Sequence, residues 1–360
     1  MSRNRRGLRP SPKDNHDGQH EPSLRPPARC GATLIAKRLA LSLFGLVLGI
    51  IACELIARFA WQEPWYERLL DEQRTNETHT YTRNQWNLRD RDYASPKPEG
   101  RRRVLMLGDS FTFGQGVVND QEIFPEILEA NLTKTRIAQG KSSVEILNGG
   151  LPGSLTDEWL RVWEATSQAF DPDVLVIVFF LRDGTRTASV PEFFDKIRAD
   201  IAQRNKRSRL YKTSYLVRML QDATDRKRVA SLYAERFQSS YFGAEHQTGE
   251  WRTAQKNLIK LKQLAQERAV EVGLVVFPVL VELNEPYPFQ QIVDTVSQFS
   301  VDTGFAVHNL LPDFMGEYAP NYWVSSFDQH PNARGHALVA ERLEPFVTGL
   351  LDRADATPSP

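Results

Sequence analysis

The sequence predicts an α/β domain, a parallel sheet covered by helices on both sides, carried behind a single N-terminal transmembrane helix. Three observations lead there. Short runs of apolar residues alternate with helix-period stretches from about Pro96 onward, the runs are apolar throughout rather than at every second residue, and one segment near the N-terminus is free of charge for fifteen residues. Forty-five Lys and Arg balance forty-five Asp and Glu, so no basic excess points to a nucleic-acid partner. Two cysteines, Cys30 and Cys53, are too few for a disulfide framework or a cysteine zinc site. No metal or cofactor is expected, and stability has to come from packing.

Residues 1–36 are rich in Arg, Pro, Ser, Asn and Asp without apolar periodicity, and read as a disordered basic tail. The composition changes at Lys37. Leu39 to Cys53 carries no charge, and the stretch 39–57 makes about 28 Å of helix, close to the hydrocarbon thickness of a bilayer. Residues 37–60 therefore read as a transmembrane signal-anchor helix, with membrane contact through 39–57. Basic residues gather on its N-terminal side, among them Arg25, Arg29, Lys37 and Arg38. This predicts a single pass through the inner membrane, with the N-terminus cytoplasmic and the remainder periplasmic or extracellular. Trp61 and Trp65 fit an interfacial anchor. Ile50-Ile51-Ala52-Cys53 also resembles the lipobox of bacterial lipoproteins, but the apolar stretch continues past Cys53, which favours the retained helix. Residues 61–95 read as a linker and N-terminal extension.

The main domain is expected over 96–352, with a frayed tail at 353–360. Five runs suit strands buried on both faces: Val104 to Leu107, Val144 to Leu147, Val174 to Phe180, Val272 to Phe277 and Phe305 to Val307. Helices are expected around Ile123 to Leu132, Asp157 to Gln168, Thr253 to Val270, Gln290 to Thr303 and Arg334 to Leu351. The segment at about 190–248 is too long for a simple crossover. Leu210, Tyr211, Tyr215, Leu216, Met219 and Leu220 recur there at helical spacing among many Lys and Arg, so it reads as a helical insertion between the third and fourth strands.

Gly108-Asp109-Ser110 directly follows the first strand, where an open parallel sheet places its ligands. A serine hydroxyl becomes a nucleophile only when a base takes its proton and a carboxylate orients that base. Asp328 and His330, two apart in an extended stretch before the last helix, point to the same side and supply both. His336 is a rival base but falls in the expected final helix. For the oxyanion, the glycine-rich stretch Asn148 to Gly153 after the second strand can turn backbone N–H groups inward, with Gly153 and Ser110 as the plausible pair.

In these blocks the chain resembles the SGNH, or GDSL-type, hydrolases, over roughly Asn87 to Leu351. Gly108-Asp109-Ser110 resembles their first block, Asn148 to Gly153 the second, and Asp328-Gln329-His330-Pro331-Asn332 with Gly335-His336 the last. Asn87-Leu88-Arg89-Asp90 ahead of Lys97-Pro98 is similar to membrane-anchored bacterial envelope members. The resemblance implies a flavodoxin-like three-layer sandwich on a five-stranded parallel sheet and ester hydrolysis. It casts Ser110 as nucleophile, Gly153 as oxyanion donor, His330 as base and Asp328 as its partner. Two departures matter: in the last block the Asp precedes the His by two rather than the common three, and where the family's third block supplies an oxyanion Asn, Arg182 of Phe180-Leu181-Arg182-Asp183-Gly184 stands. Its guanidinium either donates in the site or turns away to pair with Asp183 or a carboxylate of the insertion.

The function expected is a membrane-anchored serine esterase acting on an acyl ester of a cell-envelope glycan, a lipid or a small molecule. An O-acyltransferase using the same residues, with a sugar hydroxyl as acceptor, is a second reading. A catalytically weak envelope-binding or assembly module is a third. A dinucleotide-binding site is disfavoured because Gly114-Gln115-Gly116 lacks the third glycine of that fingerprint.

Overall fold

The computed structural model describes residues 30–61, 80–185, 190–243, 250–325 and 328–356. The expected tail up to residue 29, Trp65 and the last four residues lie outside them. Two units are distinct, one ending at Ile56 and the other beginning at Ala57.

The first unit is dominated by α1 (Cys30–Ala60). Within it, Leu34–Ala60 contains an 18-residue window of mean hydropathy 2.5, and its large apolar side chains are exposed along its length. By length and composition it is compatible with a single-pass anchor or a signal sequence. It begins at Cys30 rather than after Ala36, because Leu34-Ile35-Ala36 continues the helix without a breaker.

The second unit is the α/β domain. Its strands are β1 (Arg101–Gly108), β2 (Ser143–Gly150), β3 (Val174–Phe180), β4 (Glu271–Phe277) and β5 (Ala306–Asn309), all parallel in the order β2-β1-β3-β4-β5. The central β3 is buried at every position, as its unbroken Val-Leu-Val-Ile-Val-Phe-Phe run requires of a strand covered on both faces. Between the strands lie α2 (Ser110–Phe113), α3 (Phe124–Ala138) and α4 (Thr156–Phe170), the insertion helices α5 (Val190–Arg207), α6 (Arg209–Thr213) and α7 (Tyr215–Phe242), then α8 (Glu250–Gln266) and α9 (Gln290–Asp302). After β5 come α10 (Leu311–Phe314) and α11 (Ala333–Ala356). The chain steps one way from β1 to β2 and the other way from β2 to β3, so right-handed crossovers put α3 and α4 on opposite faces. Accordingly α11 packs with α3, and α8 with α4. The reversal opens a crevice at the carboxyl ends of β1 and β3, where such folds bind ligands.

The domain extends beyond the expected limits at both ends. Leu88 and Tyr93 belong to the main core, so the chain joins the domain before Pro96. The last helix continues past Leu351 to Ala356. Asp355 anchors its final turn by accepting from Arg136 Nη2 at 2.7 Å and Arg102 Nε at 2.8 Å, a partnership invisible locally. In the insertion, Phe237 and Tyr241 of α7 enter the same core, and the Tyr241 hydroxyl donates to Leu181 O at 2.6 Å.

His336 joins α11 to α3. It is fully buried, stacks on Phe124 with centroids 5.6 Å apart, and its Nδ1 accepts from the Phe124 N–H at 3.1 Å. Burial, with the positive charge of Arg89 adding, pushes its pKa down to about 3. The folded value lies below that of the unfolded chain, so stability present above about pH 6.5 is lost as pH falls toward 3. The urea midpoint should drop across that window, and His336→Asn, which keeps an acceptor near Nδ1 without titrating, should flatten the slope. An unchanged slope in the variant would contradict this role.

Candidate active site

The turn that carries Ser110 is built by close packing. A Cβ on Gly108 would sit 2.0 Å from Thr112 Oγ1, and one on Gly150 would sit 2.2 Å from Phe113 N. Only glycines let α2 fold down onto the ends of β1 and β2. Asp109 caps α2 by accepting the Phe111 N–H on Oδ1 at 2.9 Å, and Gly114, at φ 80°, ends it in the left-handed region. Ser110 is thereby held as the first residue of a single turn, 7% exposed, at the carboxyl end of β1.

His330 reaches Ser110 from the other end of the domain. Its Nε2 lies 2.9 Å from Ser110 Oγ, and its Nδ1 lies 2.5 Å from Asp328 Oδ1. The same carboxylate oxygen accepts the His330 backbone N–H at 3.0 Å, so Asp328 holds both ring and backbone. The loop carrying the pair is laced locally. Val324 N–H donates to His330 O, Asp328 N–H to Ser325 Oγ, and Trp323 bridges Pro331. Asn332 then accepts the Gly335 N–H at 3.0 Å and donates to Trp323 O at 2.9 Å, which fixes where α11 starts. Phe111 packs 5.3 Å from the imidazole and stacks at 4.0 Å on Phe180, giving the site an apolar wall.

Gly153 stands in a turn closed by Ser154 N–H to Leu151 O at 3.1 Å. With Pro152 at the second position and φ 75° at Gly153, this is a type II turn, which requires such a residue third. Gly153 is exposed with open space around it, while Leu151 N–H and Ser154 Oγ both donate to Gly108 O. The turn is thus tied to the strand that bears Ser110.

Arg182 lies in the turn after β3 and faces Asp109. Its Nη2 is 3.1 Å from Asp109 Oδ2 and 3.6 Å from Asp183 Oδ1. Burial alone would lower the guanidinium, but the charges of Asp109 and Asp183 outweigh it and hold its pKa above the ordinary value. Asp183 itself is fully buried, and its pKa is pushed well up, first by burial and then by the charge of Asp109. Arg182 therefore meets the residue beside Ser110, a partner that neither sequence expectation named. Asp109 Oδ2 lies also 3.4 Å from Ser110 Oγ, so the ion pair touches the hydroxyl environment.

The N-terminal extension contributes support that sequence reading did not assign. Arg89, buried, donates to Phe113 O, Gly114 O, Val117 O and Asp120 Oδ1, bracing the loop after α2. Asp90 accepts the Asn148 N–H at 2.8 Å and the Tyr93 hydroxyl at 3.0 Å. Burial, opposed by the Asn148 N–H, raises its pKa to about 7. Asn148 in turn accepts the Gly150 N–H at 3.0 Å. The local signal was the cluster Asn87-Leu88-Arg89-Asp90, whose partners lie elsewhere in the chain.

The model of the GDSL-like lipase/acylhydrolase family matches residues 106–338, more than half of the chain. The chain belongs to that family and is an ester hydrolase. No curated protein matches the sequence. Among solved structures it is similar to a catalytic mutant of Axe2, an acetylxylan esterase from Geobacillus stearothermophilus, at 16% identity and TM-score 0.41, covering 69% of this chain and 94% of that one. It is similar also to the psychrotrophic esterase EstA from Pseudoalteromonas sp., at 15% and 0.42, covering 70% and 99%. A lipase/acylhydrolase from Enterococcus faecalis matches at 14% and 0.39, covering 69% and 96%.

Because Arg182 acts on Asp109, its removal should affect every ester alike. A charge-assisted hydrogen bond of about 1.5–3 kcal/mol corresponds to a roughly ten- to hundredfold loss of kcat/KM for Arg182→Ala. Arg182→Lys should recover part of it, with melting temperature measured alongside. A loss confined to anionic esters would instead mark a substrate-binding guanidinium, and no loss would exclude any role.

Proposed function

We propose that this protein is a membrane-anchored serine esterase that hydrolyses an acyl ester of a cell-envelope glycan, lipid or small molecule on the outer side of the inner membrane, through Ser110, His330 and Asp328. The observation that carries the reading is the continuous contact from Ser110 Oγ to His330 Nε2 and from Nδ1 to Asp328. With the ring proton on Nδ1 facing the carboxylate, Nε2 is the acceptor that a serine hydroxyl needs.

In this mechanism Ser110 Oγ attacks the ester carbonyl carbon as its proton passes to His330 Nε2. The Asp328 carboxylate stays ionised and stabilises the imidazolium. The tetrahedral oxyanion takes hydrogen bonds from the backbone N–H groups of Ser110 and Gly153, and the open space at Gly153 lets a substrate atom approach. Collapse expels the alcohol, which takes the proton from Nε2. Water then gives a proton to His330 and attacks the acyl carbon, releasing the acid and restoring Ser110.

The membrane part of the reading is supported by Leu34–Ala60 and by the basic residues ahead of it. An anchor of this kind holds the domain near envelope esters without any affinity of its own for them.

Ser110→Ala and His330→Ala should each lower ester turnover by roughly three or more orders of magnitude, since such residues act as a unit, while circular dichroism and melting stay close to wild type. Asp328→Asn should cost as much or less. Near-normal turnover in His330→Ala would remove it as the base.

A further inference from the structure

The insertion builds a surface that ester hydrolysis does not use. Leu210 on α6 and Met219 and Leu220 on α7 are 68%, 39% and 61% exposed. Lys206, Arg207, Arg209, Lys212, Lys227 and Arg228 are exposed around them. The acids of the same stretch, Asp222 and Asp225, are buried, Asp225 against Arg204. Among the described side chains from Ile201 to Arg228, every exposed charge is therefore positive.

Helix geometry explains the segregation. Asp222, Asp225 and Val229 share the inner face of α7 at spacings of three and four, which leaves Leu220, Ala223 and Lys227 on the outer one. The corner is also braced. Arg218 donates from Nε to Tyr211 O and from Nη2 to Lys212 O, each at 2.8 Å, and its guanidinium lies 4.4 Å from the centre of the Tyr215 ring. The apolar residues are presented by a fixed corner and not by a loose end.

We propose that the α6–α7 corner docks on the surface of a bilayer containing anionic lipid, with Leu210, Met219 and Leu220 entering the headgroup boundary and the surrounding cations facing lipid phosphates. Single exposed leucines are ordinary, but a cluster ringed by cations has the composition of an interfacial element. An acidic glycan would match the cations and leave the leucines in water. The anchored reading supplies proximity, on which the proposal rests: the same chain carries Leu34–Ala60. Docking gives α7 a mechanical role. Tyr233 lies close enough to Arg182 and Asp109 to feel both charges, and the thirteen-residue step from Leu220 to Tyr233 is about 20 Å of helix. The docked corner sets the height of Ser110 above the lipid and favours esters presented near that surface.

The test uses the full chain with Cys30→Ser and Cys53→Ser, carrying a spin label at Leu210→Cys or Leu220→Cys, in vesicles of phosphatidylcholine with or without phosphatidylglycerol. Docking predicts that with phosphatidylglycerol both labels lose contact with a water-soluble nickel chelate severalfold and gain contact with oxygen. A label at Val301→Cys, exposed on α9, stays in water. Lys206→Glu with Arg209→Glu and Lys212→Glu should abolish the protection. Labels at 210 and 220 that remain in water on anionic vesicles overturn the proposal, as does protection by a soluble acidic polysaccharide in place of vesicles. Flotation in high salt tests the anchor separately. If the chain leaves the vesicles there while low-salt protection persists, the anchor reading fails and docking stands.

Discussion

The candidate site turns on one contact of 2.9 Å between Ser110 Oγ and His330 Nε2, two atoms whose residues are 220 positions apart. A parallel sheet makes such a contact possible because every strand delivers its carboxyl end to the same rim. Holding it to hydrogen-bond distance is a separate problem. On the serine side, Gly108 and Gly150 let α2 sit against two strand ends, and Asp109 ties the turn to the loop after β3 through Arg182. On the histidine side, Asp328 grips both the ring and the backbone, and Asn332 fixes the start of α11. His336 then fastens that helix to α3.

Buried charge is used heavily around this contact, and burial of an unpaired charge is costly. Arg89 is tolerated because its guanidinium meets three carbonyls and a carboxylate. Arg182 is tolerated because Asp109 compensates it at 3.1 Å, with Asp183 3.6 Å away. These groups stiffen the loops that frame Ser110. The arrangement also explains how a family position expected to hold a neutral amide accommodates a cation: the charge is matched by Asp109, next to Ser110.

Much of this was legible in the sequence. Unbroken apolar runs such as Val174 to Phe180 announce strands covered on both faces, and two-residue spacing puts Asp328 and His330 on one side of an extended segment. Gly108-Asp109-Ser110 was readable because its position after a strand adds to its composition. Other features depend on partners distant in the chain. Nothing local pairs Arg182 with Asp109, seals Arg89 beneath the loop after α2, or ties Asp355 in the last turn to Arg136. Nor does the local sequence bury Asp90, whose pKa burial raises to about 7.

The central claim is that His330 activates Ser110 as a nucleophile. Reaction of the intact protein with a fluorophosphonate ester, followed by peptide mass spectrometry, reads this directly, because the phosphonyl group stays on the oxygen that attacked it. The account predicts a single adduct on Ser110, absent in Ser110→Ala and formed far more slowly in His330→Ala. An adduct on another residue, or continued ester hydrolysis after Ser110 has been blocked, would contradict it.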